Sequence, residues 1–417
     1  MKIHTVERGE SIRSVAELYG VPESRILFDN ELDPHHRLYP GQTLIIGEPT
    51  RTDSVRGGDT PERIAKRNDA DVLTLLQNNP HLAAAGLVPS QPLNIAYDRK
   101  NSRCIPVHAY SDTAEESTLR KRLPLVSVLS VQNAALLQSG RVQLLESAQR
   151  LAALAREYRT LPILCIEAVD AYGRYDTGAV VQLLSSPNLT ERFIRSTLEA
   201  VKAGGFAGAE LLFMPVPAGD EGRLTELLLA LSGRFEECGL YLLAPWLPNL
   251  PQTDSVVENM MDIADFVPIR NYLFDDSKNA SPAAPLDRIE AALTAEFVPK
   301  FAKKLLVGIP TFGIDYTQTA VGYRKRAVSA EHICRTLTTT PKVRFDETAQ
   351  TPFAVYTEDA YHCPVGHTLC YEDARSLAAK LALVEKHGLC GISVCSLAYD
   401  IPVFWQLLNQ TYKVAKY

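Results

Sequence analysis

Glu210, Leu212 and Met214 stand two residues apart in Gly208-Ala209-Glu210-Leu211-Leu212-Phe213-Met214, behind the turn Gly205-Phe206-Ala207-Gly208 and ahead of Pro215 and Pro217. The apolar run reads as a buried parallel strand. Residues of one parity on a strand share a face, so these three side chains point the same way. A carboxylic acid at such a position can give or take a proton; a leucine and a thioether cannot. Glu210 is the one titratable group of the three, and it lies about 7 Å along the strand from position 214. Further candidates sit at the ends of other apolar runs: Glu167 near the end of 161–168 and Asp170 after it, Trp246 after 239–245, Arg270 near the end of 264–271 and Tyr272 after it, and Cys395 near the end of 389–396. Each has a plain packing alternative. Glu210 would be a buried carboxyl paired with a Ser, Tyr or Arg, Trp246 would pack under a loop, and the charges would pair with one another.

No rival chemistry competes with these acids. The nine histidines, among them His35, His36, His362 and His367, form no Cys/His/Asp set with zinc spacing, so no metal is expected. A Gly-x-Ser-x-Gly elbow and a phosphate-cradling glycine loop are absent from the sequence, and no cofactor is expected. The eight cysteines are dispersed, which fits a reduced chain.

The elements that must position the acids follow from periodicity. Between the polar connector 97–102 and residue 417, apolar runs alternate with helical segments. Strands are expected at 104–110, 123–131, 161–168, 207–214, 239–245, 264–271, 304–310 and 389–396. Val142, Leu145, Ala148, Leu151, Ala152 and Ala155 give one intervening helix an apolar face. Eight such units predict an α/β fold, a (β/α)8 TIM barrel. Residues about 314–370 are too many for a loop, and Phe345, Phe353, Val355 and Tyr356 predict a small α+β insertion beside the mouth. A chain of 417 residues suits a barrel plus smaller modules, and a net charge of -6 excludes a basic nucleic-acid surface. No run approaches the roughly 18 apolar residues of a membrane span, and the first residues show no signal peptide pattern, so cytosolic synthesis is expected.

Ahead of the barrel the chain repeats at an offset of 49. Val6, Gly9, Glu10, Ser11, Val15 and Ala16 recur as Val55, Gly58, Asp59, Thr60, Ile64 and Ala65, and Asn30 and Gln42 as Asn79 and Gln91. Each copy reads as strand, capped helix, second helix and closing strand, and resembles LysM, a βααβ module of the peptidoglycan- and chitin-binding class. The resemblance implies that N-acetylglucosamine chains lie along Gly9, Glu10, Ser11, Ile12 and Asn30 to Leu38 in the first copy. In the second they would lie along Gly58, Asp59, Thr60 and the loop from Asn79. The first copy keeps Pro40-Gly41-Gln42 where the second has Pro89-Ser90-Gln91, with Pro92 in its closing strand, and is expected to dominate wall binding.

The strand carrying Glu210 resembles the fourth strand of a glycoside hydrolase family 18 barrel, whose signature is Asp-Gly-x-Asp/Asn-x-Asp-x-Glu. Aligned on Gly208, the acidic positions are Ala207, Glu210 and Leu212, and the catalytic acid is Met214. The family's sixth-strand Met-Thr-Tyr stands as Arg270-Asn271-Tyr272, and the aromatic floor as Cys395. The whole arrangement is similar to bacterial spore germination and cortex-lytic proteins. It divides as module 1–48, module 49–97 and barrel 98–417, with the insertion about 314–370. What the resemblance implies is a noncatalytic, family 18-like protein of the spore coat or cortex that binds peptidoglycan or N-acetylglucosamine oligomers, with other spore-envelope proteins as further partners. The alternative is an active N-acetylglucosaminidase whose acid has moved to Glu210 or Glu167.

Overall fold

A computed structural model describes residues 1–99, 103–111, 114–170, 174–213, 216–250, 252–272, 279–339, 342–360 and 363–417. Eight parallel strands form the barrel wall: Val107–Tyr110, Val128–Leu136, Leu161–Glu167, Gly208–Leu212, Tyr241–Leu243, Val267–Pro268, Leu305–Ile309 and Gly391–Val394. Counted in that order, the ladder runs fifth, fourth, third, second, first, eighth, seventh, sixth. Parallel bridges Leu243 to Phe266 and Trp246 to Ile269 join fifth to sixth and bring the ring round. Outward-facing aliphatics such as Val107, Ala109, Leu129 and Leu211 pack against the helices in one continuous core. Gly208 is obligatory, because a Cβ there would run into the Tyr241 backbone of the next strand.

Three expectations about the wall need correcting. Cys104–Ile105 stands outside the barrel ladder and pairs in parallel with Lys413–Val414. Leu123–Leu125 is a 3₁₀ turn, because Pro124 lacks the N–H a strand would use. The helix expected from Val142 begins at Glu146, since Val142–Leu144 pairs antiparallel with the extended end of the second strand. The insertion runs from Gly313 to Cys370 as a five-stranded antiparallel sheet crossed by helix Ala330–Thr339.

Each repeat copy is a βααβ module. The first pairs Lys2–Thr5 with Thr43–Ile46, and the second pairs Pro49–Ser54 with Pro92–Tyr97. Pro92 is tolerated because it is the first residue of its strand. Ser11 and Thr60 cap helices Ile12–Tyr19 and Pro61–Arg67 by accepting from Ser14 N and Arg63 N. The modules are not beads on a string. Tyr39 of the first lies in the apolar cluster of the insertion with Val328, Leu337 and Tyr371, and Thr43 Oγ1 accepts from Ala374 N at 2.9 Å. Arg122 of the barrel is fully buried and bridges Glu31 of the first module to Asp400. Asn409 of the last helix donates to Asn78 Oδ1 of the second module at 2.9 Å. Among the described residues no helix is long and apolar enough to cross a membrane.

Candidate active site and glycan-binding loops

The floor of the barrel is a polar network spanning four strands. Glu210 is completely buried and takes a hydrogen bond from Tyr110 Oη at 2.5 Å on one oxygen and from Ser130 Oγ on the other. His108 Nε2 lies 2.8 Å from Ser130 Oγ and 3.5 Å from the carboxylate, and its Nδ1 is 2.8 Å from Ser393 Oγ. A single imidazole tautomer satisfies the chain: Ser393 donates to Nδ1, Nε2–H donates to Ser130, and Ser130 donates to Glu210. Burial alone would raise the Glu210 pKa, but His108, Ser130 and Tyr110 hold it below the ordinary glutamate value. An ionised carboxylate with both oxygens engaged and no exposed surface cannot deliver a proton to a ligand in the mouth. This arrangement matches the packing alternative for Glu210, a buried carboxyl paired with a serine and a tyrosine.

Removing one of its donors should be felt as stability. Ser130→Ala leaves a buried carboxylate short of a partner, and a loss of about 1–3 kcal/mol is expected by denaturant unfolding at pH 7. The Glu210 pKa is depressed, so its stabilisation is present above the ordinary glutamate value and lost as pH falls through the folded one. The Ser130→Ala penalty should shrink on acidification. A penalty independent of pH would show that Ser130 does not serve the charge.

Glu167 lies one layer higher, in register with Leu212 of the fourth strand, where Glu210 is in register with Cys165. It is partly exposed and accepts from Gln132 Nε2 at 2.5 Å. Leu212 packs with Tyr110 and Cys165, and Ala207 sits beneath, beside Leu161 and Phe266. Met214 lies outside the described residues. Arg270 is partly exposed, its guanidinium carbon 5.2 Å from the Tyr110 ring centroid and 5.6 Å from that of Tyr272. Cys395 lies beside Thr311, whose backbone N is 3.3 Å from its sulfur. Of the residues expected at the mouth, Trp246 turns away from it, while Asp170 stays just beyond the end of the third strand. Trp246 is buried against Phe297 of the outer layer, ring centroids 5.4 Å apart, and Asp170 closes a local turn by binding Arg174 through its backbone and side chain.

In the modules, most of the loop residues expected to touch sugar are occupied by the fold. Asn30 donates to Ile26 and Ile45 carbonyls and accepts from Ile45 N. Asn79 repeats that pattern with Leu75 and Asn94. Each ties the end of the second helix to the closing strand, which accounts for its recurrence. Glu10 accepts from Glu7 N and lies 2.9 Å from His4 Nε2, and Asp59 accepts from Arg56 N and Arg67. Ile12 and Leu38 pack on the module core. Gly9 and Gly58 both take positive φ in open space, leaving their turns accessible. Gly41 also has positive φ, and a Cβ there would come within 2.8 Å of Val343 Cβ. Its equivalent Ser90 accepts the same backbone twist at φ 67°. Close docking against the insertion gives a structural reason for the glycine that distinguishes the first copy.

Sequence reading found Glu210 and Glu167 but missed His108, Tyr110, Ser130, Gln132 and Ser393. The parity of polar residues within the apolar runs was a usable signal, since His108 and Tyr110 share one face of their strand, as do Ser130 and Gln132 of theirs. Comparison with known proteins agrees with this architecture. Residues 143–400 match the family described as glycosyl hydrolases family 18, and residues 4–47 and 54–96 each match the LysM domain. The cortical fragment-lytic enzyme of Bacillus anthracis is 23% identical over 440 residues, covering 100% of this chain and 99% of that protein. The enzyme of the same name from Bacillus subtilis (strain 168) is 29% identical over 249 residues, 56% of each chain. The crystal structure of the Bacillus cereus spore cortex-lytic enzyme SleL superposes with a TM-score of 0.80 at 22% identity, over 100% of this chain and 99% of that one.

Proposed function

We propose that this chain, which belongs to glycosyl hydrolases family 18 and carries two LysM domains ahead of the barrel, is a noncatalytic binder of N-acetylglucosamine-containing peptidoglycan. The division into modules 1–48 and 49–97 and barrel 98–417 belongs to the same reading, as does a place on the spore coat or cortex. One observation carries it. The inward stripe of the fourth strand holds a single carboxyl, Glu210, and that carboxyl is sealed in the floor by Tyr110, Ser130 and His108. Retaining hydrolysis of a glycosidic bond needs a protonated acid at the leaving oxygen, and the fourth strand offers Leu212 and Met214 in its place. The relatives named for cortex lysis supply the class of glycan.

A second reading is favoured by Glu167. Its carboxylate is partly exposed at the level of Leu212 and oriented by Gln132, so it is the one inward acid among the described residues of the third and fourth strands that a ligand can reach. The experiment separates the readings with spore cortex peptidoglycan. The expected result is retention of the wild type on the insoluble wall with no release of muropeptides. Release that falls at least a hundredfold in Glu167→Gln would replace the first reading by the second. Failure to bind the wall at all would remove both.

A further inference from the structure

The mouth of this barrel has lost acids from its fourth strand and gained an arginine on its sixth, with the Glu167 carboxylate on the third. Leu212 and Met214 stand at two acidic positions, and Arg270 has entered from the sixth strand. Among the described residues, Arg270 has no carboxylate within ion-pair distance; its guanidinium is held between the faces of Tyr110 and Tyr272 instead. Glu210 is the anion beneath, but its oxygens are filled by Tyr110 and Ser130, and the phenol that Arg270 covers is the one donating to it. Burial works against the Arg270 charge, yet Tyr272, Tyr110 and Glu210 more than offset it, so the group stays a cation. Tyr272 is only 5% exposed, and among the described residues its hydroxyl has no hydrogen-bond partner of proper geometry, Arg270 included. A half-buried cation with no carboxylate partner, beside an unanswered buried phenol, leaves polar groups that an anionic ligand would complete.

We infer that the barrel mouth takes a carboxylate-bearing N-acetylated sugar, with the Arg270 guanidinium as the anion receptor and Tyr272 Oη as a second donor. This rests on the glycan-binding reading above and adds the chemical class of the bound unit. A carboxylate matches the planar fork of an arginine, and charge-assisted bonds of this kind are the strong ones. In a peptidoglycan strand the lactyl ether of muramic acid offers that group when no peptide is attached, and glucosamine does not.

The test is calorimetric titration of the full chain with N-acetylmuramic acid, its lactyl methyl ester and N-acetylglucosamine. The acid is expected to bind about ten- to a hundredfold more tightly than the ester or N-acetylglucosamine. Arg270→Met should bring the acid down to the level of the ester and leave the ester unchanged, while Arg270→Lys should retain part of the preference. Equal binding of acid and ester by the wild type overturns the inference, whether or not the variants fold, and so does a preference that survives in Arg270→Met. If the wild type holds peptidoglycan but shows no acid preference, this inference alone falls. If it holds no peptidoglycan, the glycan-binding reading falls with it.

Discussion

Arg122→Met is expected to destabilise the docked protein by about 3 kcal/mol or more at pH 7, because two carboxylates then face each other without their counter-ion. The guanidinium donates to Glu31 at 2.6 and 3.0 Å and to Asp400 at 2.9 and 2.7 Å, while Trp405 Nε1 donates to Asp400 at 2.8 Å. Glu31 and Asp400 keep some solvent contact, with side-chain exposures of 14% and 22%, so the lower end of the usual range for a broken buried pair applies. Burial would raise the Glu31 pKa, but Arg122 holds it below the ordinary glutamate value. Its contribution is thus present above about pH 4.3 and disappears as pH falls through the lower folded value. In the variant burial is opposed only by the weaker pull of Lys121 and His81, so protonation costs the folded state less and the gap between wild type and variant should narrow from pH 7 to pH 4. Denaturant unfolding at both pH values checks this. Arg122→Met combined with Glu31→Gln and Asp400→Asn should recover most of the loss. An equal deficit at both pH values would mean that packing against Trp405, not charge, sets the cost.

Restoring the acids should not restore hydrolysis. Leu212→Asp with Met214→Glu supplies both missing carboxyls, yet muropeptide release from spore cortex should stay at least a hundredfold below that of an intact family site. Asp at 212 would enter a layer packed by Tyr110 and Cys165, directly above the ionised Glu210. The nearby free counter-charge is Arg270, which rests on the same Tyr110 ring. An aspartate paired with that arginine no longer orients a sugar acetamide. Ala207 leaves the first acidic position empty, and Cys395 offers no stacking surface. The acid at 212, entering a buried apolar layer, should also lower the unfolding free energy by about 1–3 kcal/mol. Vigorous release by the double variant would show that the acids were the whole of the deficit.

Much of this was legible in residues alone. The offset-49 repeat located both modules, and alternating apolar runs located eight strands, because burial on both faces of a parallel wall leaves a continuous apolar trace. The fate of Glu210 was foreseen as one of two alternatives, and parity said which way it faced. What could not be read was who meets it. Tyr110, Ser130 and His108 come from strands 80 to 102 positions away in sequence, and only closure of the ring puts them on one carboxylate. Trp246 misled for a related reason, since a strand end has two sides and composition does not say which one a ring will choose. Asn30 and Asn79 show the same limit, because a residue that repeats to tie helix to strand looks in sequence the same as one that repeats for sugar.

The welding of the first module to the barrel through Arg122, Tyr39 and Gly41 changes how the two glycan sites proposed above would add up. Sites joined by a flexible tether raise each other's effective concentration for any strand long enough to reach both. Here no tether intervenes, so the vector between module groove and barrel mouth is fixed. A polymer whose pitch matches that vector binds twice with no further ordering of the protein, and one that is stiff and out of phase binds once however long it grows. The molecule would then act as a gauge of strand geometry, and avidity would rise in steps with oligomer length instead of smoothly.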